Sequence, residues 1–126
     1  MICTFCSLPK SRIEDENDLA IWIYDAFPIS KGHSLIIPKR HISSFFDATN
    51  VERNALFALL EKAKSIVEKK YTPDSFNIGI NDGPAAGQTV PHLHMHLIPR
   101  YQGDVADPRG GIRWIIPERA DYWTAK

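Results

Sequence analysis

Between residues 49 and 70 the apolar positions repeat at the spacing of a helix. Leu56, Leu59, Leu60, Ala63, Ile66 and Val67 fall on one stripe, while Lys62, Lys64, Glu68 and Lys69 lie largely on the other side. Thr49-Asn50-Val51-Glu52 opens the run as a capping box, with Thr49 as N-cap and Glu52 at the third position after it. The spacing predicts one long amphipathic helix that ends near Lys70, before a breaker at 71–74. Other segments have the composition of strands. Residues 19–24 (Leu-Ala-Ile-Trp-Ile-Tyr) are aromatic and β-branched, and a second strand at 34–37 follows a turn at 28–32. Residues 76–80 give a third strand and 92–99 a fourth, parted by the loop Asn-Asp-Gly-Pro-Ala-Ala-Gly at 81–87. Segment 11–18 is polar and charged and reads as a loop. Past Arg100 the patterning ends, so 102–126 is expected as an irregular tail whose apolar residues dock on the domain or on a partner subunit. Antiparallel strands around one long helix predict an α+β fold, in a single domain spanning 1–126.

Composition narrows the function classes. Fifteen basic against fifteen acidic residues leave no formal net charge, which argues against nucleic acid as the main partner. No apolar run approaches the roughly 20 residues of a membrane span. The first residues lack both the charged and the apolar regions of a secretory signal. A cytoplasmic protein is the expectation. Cys3 and Cys6 stand at Cys-x-x-Cys spacing, which in that compartment suggests a metal site or a redox pair rather than a disulfide scaffold. A closed zinc site needs four ligands, so the thiols need two more, most naturally histidines. His33 and His41 are the only ones outside 92–96. Two unliganded thiols packed near the N-terminus are the simpler alternative.

The most specific chemistry lies at 92–97, His-Leu-His-Met-His-Leu, where three of the five histidines alternate with apolar residues. Alternate side chains of a strand share a face. His92, His94 and His96 are then expected roughly 6–7 Å apart, with Leu93, Met95 and Leu97 fixing the register from the opposite face. One phosphate or one metal can meet neighbouring rings at that distance. A neutral imidazole is a competent nucleophile near pH 7. Attack on phosphorus by one ring nitrogen requires the other to keep its proton and donate it, and a backbone carbonyl suffices as acceptor. The product is a phosphoramidate, with flanking imidazoles donating to phosphate oxygens. In the competing chemistry the triad itself holds zinc with an open position for water, although the run supplies no adjacent carboxylate. The preceding loop favours an anion. Gly83 and Gly87 permit close backbone approach, free amides there can cradle phosphate oxygens, and Gln88 and Thr89 add neutral donors.

Together these segments resemble the histidine triad (HIT) superfamily of nucleotide hydrolases and transferases, over nearly everything from Cys3 to Tyr101. The likeness is carried by His92-x-His94-x-His96, by Lys31-Gly32-His33-Ser34-Leu35-Ile36-Ile37-Pro38-Lys39-Arg40-His41, and by Asn81-Asp82-Gly83 leading to Gly87-Gln88-Thr89-Val90. Residues 82–90 are most similar to the fragile-histidine-triad branch, which cleaves dinucleoside polyphosphates. The resemblance implies a HIT-like fold, a homodimer, and His94 as nucleophile of a nucleotidyl-histidine intermediate. It implies that His96 and His33 contact phosphate oxygens or order the histidine network. Asn81, Gly87, Gln88 and Thr89 are implied to line the phosphate and leaving-group site. Asp25 is implied to hold the ribose hydroxyls, and Ile23, with Phe5, to sandwich the base. Zinc-bearing members use the positions of Cys3, Cys6, His41 and His92, implying a structural zinc and no organic cofactor. Those cysteines depart from the fragile-histidine-triad branch. Arg109, Arg113 and, less directly, Arg100 offer guanidinium groups for the extra phosphates of a long substrate. A nucleoside phosphoramidate hydrolase of the same superfamily and a nucleotide-binding module without turnover are the alternatives.

Overall fold

The computed structural model describes residues 3–124. Its described strands form one antiparallel sheet: β1 (Ile13–Glu16), β2 (Ala20–Tyr24), β3 (Ser34–Pro38), β4 (Ser75–Ile80) and β5 (Met95–Arg100), in the order β1-β2-β3-β5-β4. One long helix, α1 (Asn50–Tyr71), packs on one face. Its capping box forms as expected: Glu52 N donates to Thr49 Oγ1 at 3.1 Å, and Thr49 N to Glu52 Oε1 at 2.9 Å. α1 buries Leu56, Leu59, Ala63 and Val67 against Ala20, Trp22, Ile36, Met95 and Leu97 of the sheet. Ile66 does not join them and is 39% exposed. The helix meets a single sheet face, so its buried stripe is narrow and position 66 falls on the rim.

The opposite face of β2 and β3 carries a second cluster, Ile21, Ile23, Leu35 and Ile37, covered by Phe5, Leu8 and Ile13. Burial on both sides explains why these two strands read as continuous apolar runs rather than as alternation. Segment 11–18 departs from the loop expectation, since β1 occupies Ile13–Glu16 after a short 3₁₀ turn at Lys10–Arg12. It is an edge strand paired only with β2, and its charged side chains face outward or reach neighbours, as Asp15 reaches Lys62 of α1. A polar edge strand has too little apolar signal to be told from a loop.

Gly32 sets the approach of β3 to the helix. Its φ is +88°, and an added Cβ would meet Tyr71 Cδ2 at 2.9 Å and Val67 Cγ1 at 3.0 Å. Only glycine satisfies both conditions. The turn thereby delivers His33 to the start of β3, alongside β5, where Leu35 pairs with His96. The tail is less irregular than expected: a 3₁₀ turn at Gly111–Ile115 leads into α2 (Pro117–Ala120), whose Ala120 is fully buried. No described helix is long and apolar enough to cross a membrane.

Candidate functional site

The three histidines share the side of the sheet away from α1, since Leu93, Met95 and Leu97 enter the core under the helix while Phe5 meets both His92 and His94. They do not all lie on a strand, however. Of the three, only His96 belongs to β5, and His92 and His94 precede it. The β3–β5 pairing stops at Ile36 and Met95. Pro38, further along β3, has no N–H to continue the ladder. Its carbonyl instead accepts from His92 Nε2 at 2.8 Å, and Leu93 N donates to Ile42 O at 2.7 Å. His92 therefore turns toward the N-terminal segment, while the His94 and His96 rings stay together with centroids 5.3 Å apart.

Backbone groups fix which ring nitrogen carries each proton. His94 Nδ1 donates to His92 O at 2.8 Å, which leaves its Nε2 lone pair free. His33 Nδ1 accepts from Ile29 N at 3.2 Å, so its proton sits on Nε2 and is donated to His96 Nδ1 at 2.9 Å. His96 then carries its own proton on Nε2. Both rings must be neutral for this chain to hold. Burial pushes His96 down to about 4, with the neighbouring His94 and His33 adding to it. Burial likewise lowers His33, against the opposing pull of Asp25. Asp25 Oδ2 lies 3.4 Å from His33 Nε2, and its Oδ1 accepts from Phe27 N at 2.8 Å. The arrangement thus joins a bare imidazole nitrogen to a neighbouring N–H donor, the chemistry of a nucleophile beside an oxyanion.

Ile23, Leu35, His96 and Gly79 stand opposite one another across β2, β3, β5 and β4, so they share a face. Ile23 is only 1% exposed beneath Phe5, Leu8 and Ile13, so a base on this face meets those residues first. Gly79 leaves open space beside His96, with no atom within 4 Å of an added Cβ.

The glycine loop is built differently from its expected phosphate cradle. Gly83 and Gly87 do adopt positive φ, +101° and +94°. The loop's amides, however, largely close on the loop itself: Gly83 N on Gln88 Oε1, Ala86 N and Gln88 N on Gly83 O, and Gly87 N on Pro84 O. Gln88 Nε2 donates to Ser43 O, and Asp82 Oδ2 accepts from Ser44 Oγ and Phe45 N. A tight turn satisfies its own donors, so the loop acts as a strapped wall. Asn81, Gly87 and Thr89 remain exposed on it. The Ser43–Phe45 buttress carries no motif and was not legible in the sequence.

Cys3, Cys6, His41 and His92 converge, with one donor atom of each within 4.8 Å of all the others. His92 Nδ1, bare because Nε2 donates to Pro38, lies 3.4 Å from Cys3 Sγ, 3.5 Å from Cys6 Sγ and 3.2 Å from His41 Nδ1. Cys6 Sγ is 3.2 Å from His41 Nδ1. A tetrahedral zinc with ordinary bond lengths has N···N edges of about 3.4 Å and S···N edges of about 3.6 Å. The four residues fit zinc, and four protein ligands make a closed, structural site. Geometry brings His41 and His92 to the cysteine pair, while His33 lies with Asp25 and His96. Arg40, beside His41, forks onto Glu52 at 2.9 and 2.8 Å and ties this segment to the start of α1. That guanidinium, with the Thr49 amide, holds the Glu52 carboxyl down to about 2. His94 falls in neither metal-competent group among the described residues, which counts against a metal held by the triad.

The tail arginines are engaged locally. Arg109 pairs with Asp107 and lies over Trp123. Arg113 donates to Ala120 O and Arg119 O, and Arg100 pairs with Asp104 and Asn77. None of these bonds leads to the histidines.

Residues 9–103 match the HIT domain family. Over 80 residues, 64% of the chain, the sequence is 44% identical to a bis(5'-nucleosyl)-tetraphosphatase (asymmetrical) of Schizosaccharomyces pombe, of which the match covers 44%. It is 40% identical over 98 residues, 76% of the chain, to a bis(5'-adenosyl)-triphosphatase of Saccharomyces cerevisiae, again covering 44% of that protein. The chain thus spans less than half the length of these two relatives. Its fold superposes on a zinc-bound histidine triad family protein from Mycobacterium smegmatis with a TM-score of 0.73 and 34% identity, covering 83% of this chain and 79% of that one.

Proposed function

The chain belongs to the family of HIT-domain proteins, and on that premise we propose that it hydrolyses dinucleoside polyphosphates through a nucleotidyl group carried on His94. The observation that carries the reading is the 2.8 Å bond from His94 Nδ1 to His92 O. It leaves Nε2 bare and puts an acceptor behind the ring for the positive charge that develops on attack. His94 Nε2 bonds to the phosphorus as the bond to the leaving phosphate oxygen breaks, and the N–H of His96 donates to a phosphate oxygen. Water then bonds to phosphorus, the P–N bond breaks, and a nucleoside monophosphate leaves with His94 restored. His33 is a positioning residue that holds His96 in the donating tautomer. Asp25 faces the ribose hydroxyls, Phe5 and the cluster around Ile23 face the base, and Asn81, Gly87, Gln88 and Thr89 border the leaving group.

The leaving group follows from protonation. A phosphate, with its second ionisation near pH 6, departs as an anion without a proton. An amine needs one, and a His96 held neutral at pH 7 is a poor source of it. This favours a polyphosphate over a phosphoramidate, and the activities for which the two fungal relatives are named support the same class. The tail arginines lend it no support, because each is engaged within the tail or with its neighbours. We read the protein as cytoplasmic, without nucleic-acid or membrane partners, bearing one structural zinc on Cys3, Cys6, His41 and His92. We also read it as a homodimer, since β4 is the last strand of the sheet among the described residues and Ile78 on it is 51% exposed.

Chromatography of nucleoside monophosphate release from diadenosine tri- and tetraphosphate, set against adenosine phosphoramidate, tests the assignment. Higher kcat/KM on the dinucleotides is the expected result. A strong preference for the phosphoramidate contradicts it.

A further inference from the structure

Phe5 lies between the two cysteines, and its ring reaches past them to the reactive histidine. The ring meets His94 edge-on with centroids 5.0 Å apart, and His92 at 5.9 Å. It also packs on the Ile21, Ile23, Leu35 and Ile37 cluster. Two of the four metal-competent residues, Cys3 and Cys6, flank Phe5 in the chain, and a third, His92, supplies the carbonyl that holds His94 Nδ1. Two separate paths therefore lead from the metal group to one imidazole, by the Phe5 ring and by the His92 backbone. Besides the Phe5 packing, thiol–imidazole contacts of 3.2–3.5 Å tie the segment at this point, and Cys6 and His41 are exposed.

We propose that Phe5 is a positioning residue through which a metal on Cys3, Cys6, His41 and His92 pre-orders the nucleotide site. Metal and nucleotide then bind cooperatively although they share no ligand. The inference rests on the reading that a nucleotide phosphate sits at His94. Holding both sulfurs fixes the backbone on each side of Phe5, and with it the ring that backs His94 and borders the base face. An ordering cost met by the metal is not met again by the nucleotide. Linkage requires the effect to be mutual: nucleotide must tighten metal by the factor by which metal tightens nucleotide.

Calorimetric titration of the full chain with AMP, zinc-loaded and chelator-stripped, reads the first half. A chromophoric zinc chelator competed with and without AMP reads the second. The expected result is about a tenfold tightening in each direction, with the two factors equal. Phe5→Ala should still bind one zinc, yet bind AMP more weakly when loaded and lose most of the coupling, and Phe5→Leu should recover part of it. Equal AMP affinity in loaded and stripped wild-type protein overturns the proposal, as does coupling that survives intact in Phe5→Ala. If the stripped protein unfolds, the loaded forms decide the matter by nitrogen NMR of the His94 ring. Signals shifted or broadened in Phe5→Ala support the positioning role, and unchanged signals overturn it. AMP binding by neither form overturns the nucleotide reading and the coupling with it.

Discussion

His92, His94 and His96 are chemically identical side chains that differ in which neighbour fixes the proton of one ring nitrogen. The Nε2–H of His92 donates to Pro38 O, the Nδ1–H of His94 donates to His92 O, and the Ile29 amide fixes the proton of His96 at one remove by way of His33. One ring is thereby left to face a metal, one to attack and one to donate. Protonation of this set has a consequence for folding. His96 is held at about 4, against about 6.5 in an unfolded chain, and His33 and His92 are lowered in the same direction. Between those values the unfolded chain binds more protons, so stability rises with pH and falls as pH drops from about 6.5 toward 4. The lowered Glu52 carboxyl adds its loss only below its ordinary value of 4.5, as pH falls toward about 2. The urea midpoint of metal-free protein is expected to drop between pH 7 and pH 5, and to drop less in His96→Asn. An identical pH dependence of the two proteins contradicts this assignment. The identity of these histidines was legible in the sequence, but their division of labour was not. It is set by backbone carbonyls and an amide that leave no side-chain signature.

Among the elements, α1 was the most legible, because its cap and its stripe are both written in side chains. β1 was the least, since an edge strand with one apolar residue owes its existence to β2 rather than to its own pattern. The histidine segment was legible in its alternation, which Leu93, Met95 and Leu97 keep by entering one cluster, but not in its pairing, which begins only at Met95. Two glycines on these elements give contrasting expectations. Gly32→Ala forces a side chain onto a φ of +88° and into Tyr71 and Val67, and should cost about 1–3 kcal/mol in chemical denaturation. A change within error contradicts that. Gly79 has empty space over it and lies opposite His96. Gly79→Val suits a strand and should keep or raise Tm, while crowding the phosphate should lower kcat/KM roughly tenfold or more. Unchanged turnover in a folded Gly79→Val protein argues that substrate does not pass this side of His96.

At the scale of the molecule, one sheet separates two tasks. The face under α1 supplies most of the core, and the opposite face carries His96, the cluster under Phe5 and the opening at Gly79. The N-terminal segment closes that second face and contributes half of a metal-competent group. Zinc supplies on the order of 10 kcal/mol in small domains that depend on it, and a chain with a core of this size should depend on it less. Cys3→Ser is expected to lower metal content and Tm more than it lowers turnover. Absence of zinc from carefully reduced wild-type protein by elemental analysis contradicts the metal assignment. The central claim concerns His94, and rapid acid-free quenching of the protein with diadenosine triphosphate, followed by mass spectrometry, tests it most directly. The account predicts a transient added adenosine monophosphate on the peptide that contains His94. It also predicts a His94→Ala protein that binds AMP yet turns over at least about a thousandfold more slowly. Undiminished turnover by that variant, or an adduct on another residue, contradicts it.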